Sequence, residues 1–169
     1  MLGFFKKLVA KQMNNRYKRI IIKTCAAYQE PLRVNGQSYV NANTYLGKNV
    51  NFNGMKINGK GKVVIGNNFH SGRDCHMITS YHNYDKGESI PYDKTYIHKD
   101  IIIEDNVWLG QSVIILGGVT IGEGAIIQAG SVVVKSIPKY GIAGGHPATV
   151  FRYRDIEHYE ALKAQGKFL

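Results

Sequence analysis

The chain has 169 residues, 44% of them hydrophobic, enough to bury a core of ordinary size as one domain, and no linker marks a second. Its formal net charge of +10 asks for an acidic partner, but the basic residues beyond the first 29 are scattered and no nucleic-acid-binding module is recognisable, which argues against nucleic acid. The two cysteines, Cys25 and Cys75, carry neither disulfide nor metal spacing and suit a reducing, cytoplasmic compartment.

The first 29 residues hold seven Lys or Arg and no Asp or Glu. In "MLGFFKKLVAKQM", Leu2, Phe4, Phe5, Leu8, Val9 and Met13 fall on one half of a helical wheel, with Lys6, Lys7 and Lys11 on or near the other. The segment is too short to span a membrane and lacks the apolar run and cleavage site of a signal peptide. Residues 1–33 are therefore expected to form either a cap over whatever follows or an interfacial helix that touches anionic lipid, with the cap favoured.

From Val34 a different period begins. Val34, Val40, Leu46 and Phe52 are six apart, with Ser38, Thr44, Val50 and Lys56 four residues behind each, and Ile65, Ser71 and Met77 continue the series. Lys56 breaks the apolar rule, and the step of 13 from Phe52 to Ile65 predicts one extra residue bulging within "GKGK" at 59–62. Between Met77 and Ile97 the step is 20, so residues 83–96, "NYDKGESIPYDKTY", are expected to leave the repeat as a loop. Ile97, Ile103, Leu109, Ile115, Ile121, Ile127 and Val133 then resume the period, shadowed by Ile101, Val107, Val113, Val119, Ala125, Ser131 and Ile137. Residues six apart on an α-helix are turned by about 240° and would bury no face, so each hexad reads as a short strand followed by a corner, with Gly and Asn supplying the turns. One hexad cannot bury its apolar edge alone, whereas stacked neighbours complete a continuous core, and the class predicted is an all-β parallel β-helix. Fourteen hexads predict between four and five coils, a prism a little over 20 Å tall at about 4.8 Å per layer. Beyond residue 152, "DIEHYEALKAQGKFL" predicts a closing helix in 153–169, with Asp155 as N-cap and Gly166 as stop.

Two stretches narrow the chemistry: "IGNNFHSGRDCHMITSYH" before the loop, and "NVWLG", "AGSVVVK" and "GGHPA" after it, in that order. Over roughly residues 34–152 the chain resembles the hexapeptide-repeat acyltransferases, in particular the galactoside and maltose acetyltransferase branch and its relatives that O-acetylate sugars of bacterial surface polysaccharides. The resemblance implies a left-handed β-helix with three hexads per coil, short helical caps at both ends and one extruded loop. It also implies an acetyl-CoA-dependent O-acetyltransferase without a metal, working on a saccharide acceptor such as a lipopolysaccharide precursor. A homotrimer is implied, with active sites between subunits, in the cytoplasm or at the inner face of the membrane. An N-acetyltransferase acting on an amino-sugar is the nearest alternative, and a zinc enzyme of the γ-carbonic-anhydrase type or a non-catalytic solenoid lies further off.

By the same resemblance His82, at the exit into the loop, is the catalytic base, and Asp85 in "HNYD" could orient its ring. An imidazole, with a reference pKa of about 6.5, can take a proton from a sugar hydroxyl as that oxygen attacks a thioester. Gln111, Ala129, Val134, Lys135, Thr149 and Arg152 stand where relatives contact acetyl-CoA, Lys135 and Arg152 being suited to phosphate. Thr149 stands where relatives often carry a basic residue. Trp108 either packs or presents its plane to the sugar or the pantetheine arm, and Asn51 or Asn53 would bind acceptor hydroxyls. His70, His76 and His82 lie six apart, but on a three-faced coil equal positions of successive hexads point about 120° apart and do not converge within one subunit. His70, His76, His98 and His146 are read as outward polar side chains, and Cys75 as an inert core residue.

Overall fold

The computed structural model describes residues 2–169, with side-chain surroundings from Leu8 onward. Short strands stack into three parallel sheets around one core. The first face carries Leu32–Val34, Val50–Asn53, His70–Arg73, Trp108–Leu109, Ile126–Ile127 and Gly141–Gly145, all parallel, and ends on an antiparallel strand, Ala148–Tyr153. The second holds Thr44–Leu46, Val63–Ile65, Ile101–Ile103 and Thr120–Ile121. The third holds Lys56–Asn58, His76–Ile78, Ile114–Leu116 and Val132–Val133. This is the all-β parallel helix that the period of six predicts.

Both inward series from Ile101 to Ile137 are buried, Ile103, Leu109, Ile115, Ile121, Ile127 and Val133 to 1% exposure or less. Ile97 is the exception: it pairs with Tyr81 in a hairpin outside the coil. The helix has about six turns rather than four to five. The extra layers come from the two ends of the hexad series: Ala27 bridges Tyr45 and Leu32–Val34 pairs with Val50–Phe52 at the start, while Ile137 bridges Ile121 and Gly141–Gly145 follows Ile126–Ile127 at the close.

The irregularity around Lys56 also differs from the single bulge expected. Tyr39 bridges Lys56, and Met55 and Ile57 are the buried pair, at 0% and 2% exposure. The inward phase therefore arrives one residue early, after the corner at Gly54, whose φ of +95° favours glycine. Two additional residues between Ile57 and Val63 restore it. Lys56 points outward because of this slip, so the apolar rule is kept by its neighbours.

Helix α1 (Leu2–Thr24) lies against the first coil and sends Ile21, fully buried, into the core, with Tyr17, Ile22 and Cys25 packed beside it. That half acts as the expected cap. The apolar positions Leu2, Phe4 and Phe5 and the cations Lys6 and Lys7 lie outside the residues whose side chains are described. Helix α2 (Ile156–Ala164) starts at Asp155, which accepts from the His158 N–H at 3.0 Å. It runs along the side of the prism: Tyr159 covers Gly124, Glu123 binds Lys163, and Asn49 donates to the Leu169 carbonyl at 2.7 Å. An asparagine ladder up the corner, Asn49 to Asn68 to Asn106 at 3.0 and 2.8 Å, ends on the Tyr159 hydroxyl at 2.8 Å. Stacked identical amides satisfy one another where the backbone turns, which ties the C-terminal segment to several layers at once.

Candidate active site

The coil is broken once. After Ile78 the chain forms an antiparallel hairpin, Ser80–His82 against Tyr96–His98, with His82 opposite Tyr96. The departure is fixed at its root: Thr79 is buried, its hydroxyl donating to the Asn58 carbonyl at 2.8 Å and accepting from the Gly61 N–H at 3.1 Å. Asp93 organises the loop, accepting from the N–H groups of Glu88 and Thr95 and from the Thr95 hydroxyl. The Thr95 side chain and these N–H groups hold the Asp93 carboxyl below the usual carboxylate range.

His82 sits at the mouth of this hairpin between two rings. Tyr92 stacks on it at 3.7 Å between centroids and 16° from parallel, and Tyr96 leans on it at 4.5 Å and 37°. Nδ1 of His82 is buried and, among the described residues, has no hydrogen-bond partner. Asp85, the residue suggested to orient the ring, is exposed and makes no hydrogen bond to His82; the contacts on the imidazole come from the two tyrosines.

Asn51 accepts from the Asn35 amide at 3.0 Å and is half-buried on the outer surface of the first face. Asn53 is committed to the fold, its amide donating to the Ser71 carbonyl at 2.7 Å and its N–H to the Ser71 hydroxyl at 3.2 Å where the register shifts. Between the two candidates Asn51 keeps the freer amide.

Gln111 and Ala129 occupy successive layers of one corner, the Gln111 carbonyl accepting from the Gly130 N–H at 2.7 Å. Thr149 joins them from the edge strand, since its partner Gly144 packs on Gln128. Val134 and Lys135 are exposed after Val132–Val133, and Arg152 is exposed opposite Ile142. A Cβ at Gly110 would meet the Ala129 N at 2.5 Å, so glycine there is required for the layers to close. His76 is on the third face and His70 on the first, so the three evenly spaced histidines do not meet. Among the described residues no group of three or more His, Cys, Asp or Glu is arranged to hold a metal ion. Cys75 is buried, its Sγ 3.1 Å from the Gly110 carbonyl, and burial pushes its thiol up, as expected of an inert core residue.

Trp108 pairs with His70 and Ile126 and is 52% exposed. Its plane opens onto a cavity of about 470 Å³ between the first face and the C-terminal segment, with Arg154, Tyr159, Lys163 and Lys167 on the far wall. His70 stands in this cavity, its Nε2 buried and without a partner among the described residues. Burial pushes the His70 imidazole below its ordinary value, opposed by the Leu169 backbone and assisted by the Arg33 charge. His70 and the two tyrosines about His82 are the residues that sequence reasoning missed. His70 shares its hexad position with ordinary outward residues, and Tyr92 sits in a loop without period.

Residues 100–135 match the family described as bacterial transferase hexapeptide (six repeats). Among solved structures the chain is similar to a galactoside acetyltransferase in complex with coenzyme A, at 31% identity and a TM-score of 0.69 over 79% of this chain and 68% of that one. It is also similar to a maltose O-acetyltransferase from Clostridium difficile 630, at 28% identity and a TM-score of 0.60 over 76% and 66%. A hexapeptide-repeat acetyltransferase from Vibrio cholerae O1 biovar eltor, complexed with acetyl coenzyme A, shares 27% identity with a TM-score of 0.59 over 81% and 73%. No curated protein sequence gives a significant match.

Proposed function

The chain belongs to the hexapeptide-repeat acetyltransferases, and from that premise we propose that it transfers acetyl from acetyl-CoA to a saccharide hydroxyl, with His82 as general base. The observation that carries the reading is the imidazole of His82, held at the hairpin mouth by Tyr92 and Tyr96 with Nδ1 unengaged. A base must be fixed in plane yet open at a nitrogen: the two rings meet the first requirement, and Nε2, which is not buried and makes no hydrogen bond among the described residues, meets the second. The hydroxyl oxygen attacks the thioester carbonyl as the imidazole takes its proton, the C–O bond forms, and the tetrahedral adduct collapses with cleavage of the C–S bond. The imidazolium then returns the proton to the departing thiolate. Gln111, Ala129 and Thr149 at one corner, with Val134, Lys135 and Arg152 nearby, are the residues expected to hold acetyl-CoA, with Trp108 presenting its plane to the pantetheine arm or to the sugar.

One of the similar structures is a maltose O-acetyltransferase, which favours oxygen over nitrogen as the acceptor atom. An N-acyltransferase from Bacillus cereus, bound to dTDP and coenzyme A, shares 18% identity and so shares only the fold. We further propose a homotrimer, because within one chain His82 on the hairpin and the Gln111–Ala129 corner belong to different parts of the prism, and a neighbouring subunit would bring the two halves together. The acceptor would be a surface-polysaccharide precursor, met at the inner face of the membrane through α1. Incubating the protein with acetyl-CoA and a panel of free, nucleotide-linked and lipid-linked sugars, with products read by mass, tests the reaction. O-acetylated sugar is expected, and acetylation confined to amino-sugars would replace the reading with the N-acetyl alternative. Sedimentation showing a fully active monomer would remove the trimer.

A further inference from the structure

The cavity against Trp108 shares no residue with the hairpin of His82, and among the proposed acetyl-CoA residues only Trp108 lines it. Its walls differ in character. One is an exposed indole plane beside His70, whose Nε2 is buried and makes no hydrogen bond among the described residues, although the Leu169 backbone also approaches the ring; a buried polar atom left unpaired is costly, and a ligand hydroxyl would relieve it. Opposite stand Arg154, Lys163 and Lys167, while among the described residues no Asp or Glu side chain lines the space. Arg154 spends Nε on the Gly124 carbonyl and Lys163 is held by Glu123, so both cations are positioned by the fold. Two further cavities among the described residues, beside α1, have neither an indole plane nor a partnerless buried imidazole.

An aromatic plane fits the apolar face of a sugar ring, an imidazole depressed by burial is a neutral hydrogen-bonding group for a hydroxyl, and a cationic wall asks for an anion. Resting on the saccharide reading above, we propose that this cavity binds a glycosyl phosphate, with the sugar on Trp108, one hydroxyl on Nε2 of His70, and the phosphate facing Arg154 and Lys167. Within one chain the cavity and the His82 hairpin lie apart, so the bound sugar meets the His82 of a neighbouring subunit in the trimer proposed above, and the acceptor is recognised with its phosphate still attached. The enzyme acts before the sugar is transferred to a neutral polymer, and the reaction that supplies its substrate is one that makes an activated glycosyl phosphate.

The test is calorimetric titration of the full chain with glucose, galactose and mannose 1-phosphates, the matching methyl glycosides and inorganic phosphate. At least one hexose 1-phosphate is expected to bind about tenfold or more tightly than its methyl glycoside and than inorganic phosphate. His70→Gln and Lys167→Ala should each weaken it by about tenfold, the scale of a lost hydrogen bond to a charged or buried group, with melting temperature and acetyl-CoA affinity unchanged. Equal binding of phosphate and neutral sugars, or unchanged affinity in both variants, would overturn the proposal. UDP-glucose and a short polyprenyl diphosphoglucose form two further arms, and tighter binding of either supports the site and identifies the carrier. Retained hexose phosphate binding without any acetyl transfer would remove the acetyltransferase reading and leave the cavity assignment standing. Acetylation of neutral oligosaccharides that His70→Gln does not diminish, with no phosphate binding, would do the reverse.

Discussion

Tyr92 covers one face of His82, the ring centroids 3.7 Å apart and the planes 16° from parallel. Tyr96 approaches the same imidazole at 4.5 Å. Ring contacts of this kind fix the plane of an imidazole without taking up its Nε2. Tyr92→Ala is expected to lower kcat by about tenfold or more, the cost of letting a positioned base swing, with KM for acetyl-CoA unchanged. Tyr92→Phe should recover most of the rate, since the ring makes the contact. Steady-state kinetics on both variants decide the point: equal loss in each would assign the effect to the hydroxyl.

His82→Ala should reduce turnover by roughly 100-fold or more while leaving acetyl-CoA affinity and melting temperature in place. The hairpin lies outside the buried core, so little stability depends on it. His76→Ala and His98→Ala should keep most of the rate, as His76 lies on the third face and Nδ1 of His98 is engaged with the Ser80 hydroxyl at 2.6 Å. Full activity in His82→Ala would sink the assignment.

Glu123 gathers the C-terminal segment. It is paired with Lys163 and, at 3.1 Å, with Lys139, and it accepts from the Tyr159 hydroxyl at 3.1 Å. Burial alone would raise its carboxyl, but the hydrogen bonds from Lys163, Lys139 and Tyr159 outweigh burial and hold it below the usual range. A carboxyl depressed in the folded state stabilises fully above its unfolded value, about 4.3, and loses that contribution as pH falls through the folded value. Glu123→Gln should therefore cost about 1 kcal/mol at pH 7, seen as roughly 2–4 °C in Tm. The gap to wild type should close toward pH 3, and a gap that persists unchanged at that pH would contradict the mechanism.

The period of six made the prism readable wherever side chains alternate inward and outward under a shared corner, which is why Ile101 to Ile137 fell into place without a miss. Met55 shows the limit. A phase slip moves a whole pair of inward residues, and only the pairing of Tyr39 with Lys56 reveals which corner was shortened. The end layers at Ala27 and Gly141–Gly145 are held by backbone pairing with a neighbouring coil, so their own sequence carries no repeat. The position of His82 at the exit into the loop was legible because the period fails there. The tyrosines around it and the cavity at His70 depend on segments distant in the chain, Tyr92 folding back over the hairpin and α2 over the first face, and no local pattern encodes such returns.

The two readings of the N-terminal segment, cap and lipid contact, divide along α1. Ile21 is fully buried against the first coil, and its truncation to Ala should cost about 2–5 kcal/mol, as in other well-packed cores. Further toward the start, Leu8, Val9 and Met13 are 45%, 51% and 38% exposed, and Ile20 follows at 41%. Val9, Met13 and Ile20 recur at helical spacing beside Arg16 and Lys23, a half-exposed apolar stripe edged with cations, of which Met13, Arg16 and Ile20 line a groove shared with Gln37, Ser38 and Tyr39 of the coil. No described helix is long and apolar enough to cross a membrane, so the stripe could meet lipid only at the interface. Deleting residues 1–13 is accordingly expected to leave melting nearly unchanged while reducing co-sedimentation with vesicles rich in anionic lipid by about tenfold or more, each basic residue near such a surface contributing on the order of 1 kcal/mol. Neutral vesicles should bind neither form appreciably, and raised salt should release the full chain. A truncated protein that sediments with anionic vesicles as well as the full chain does would leave α1 as a cap alone, and a truncation that melts well below wild type would place the capping energy ahead of Ile21.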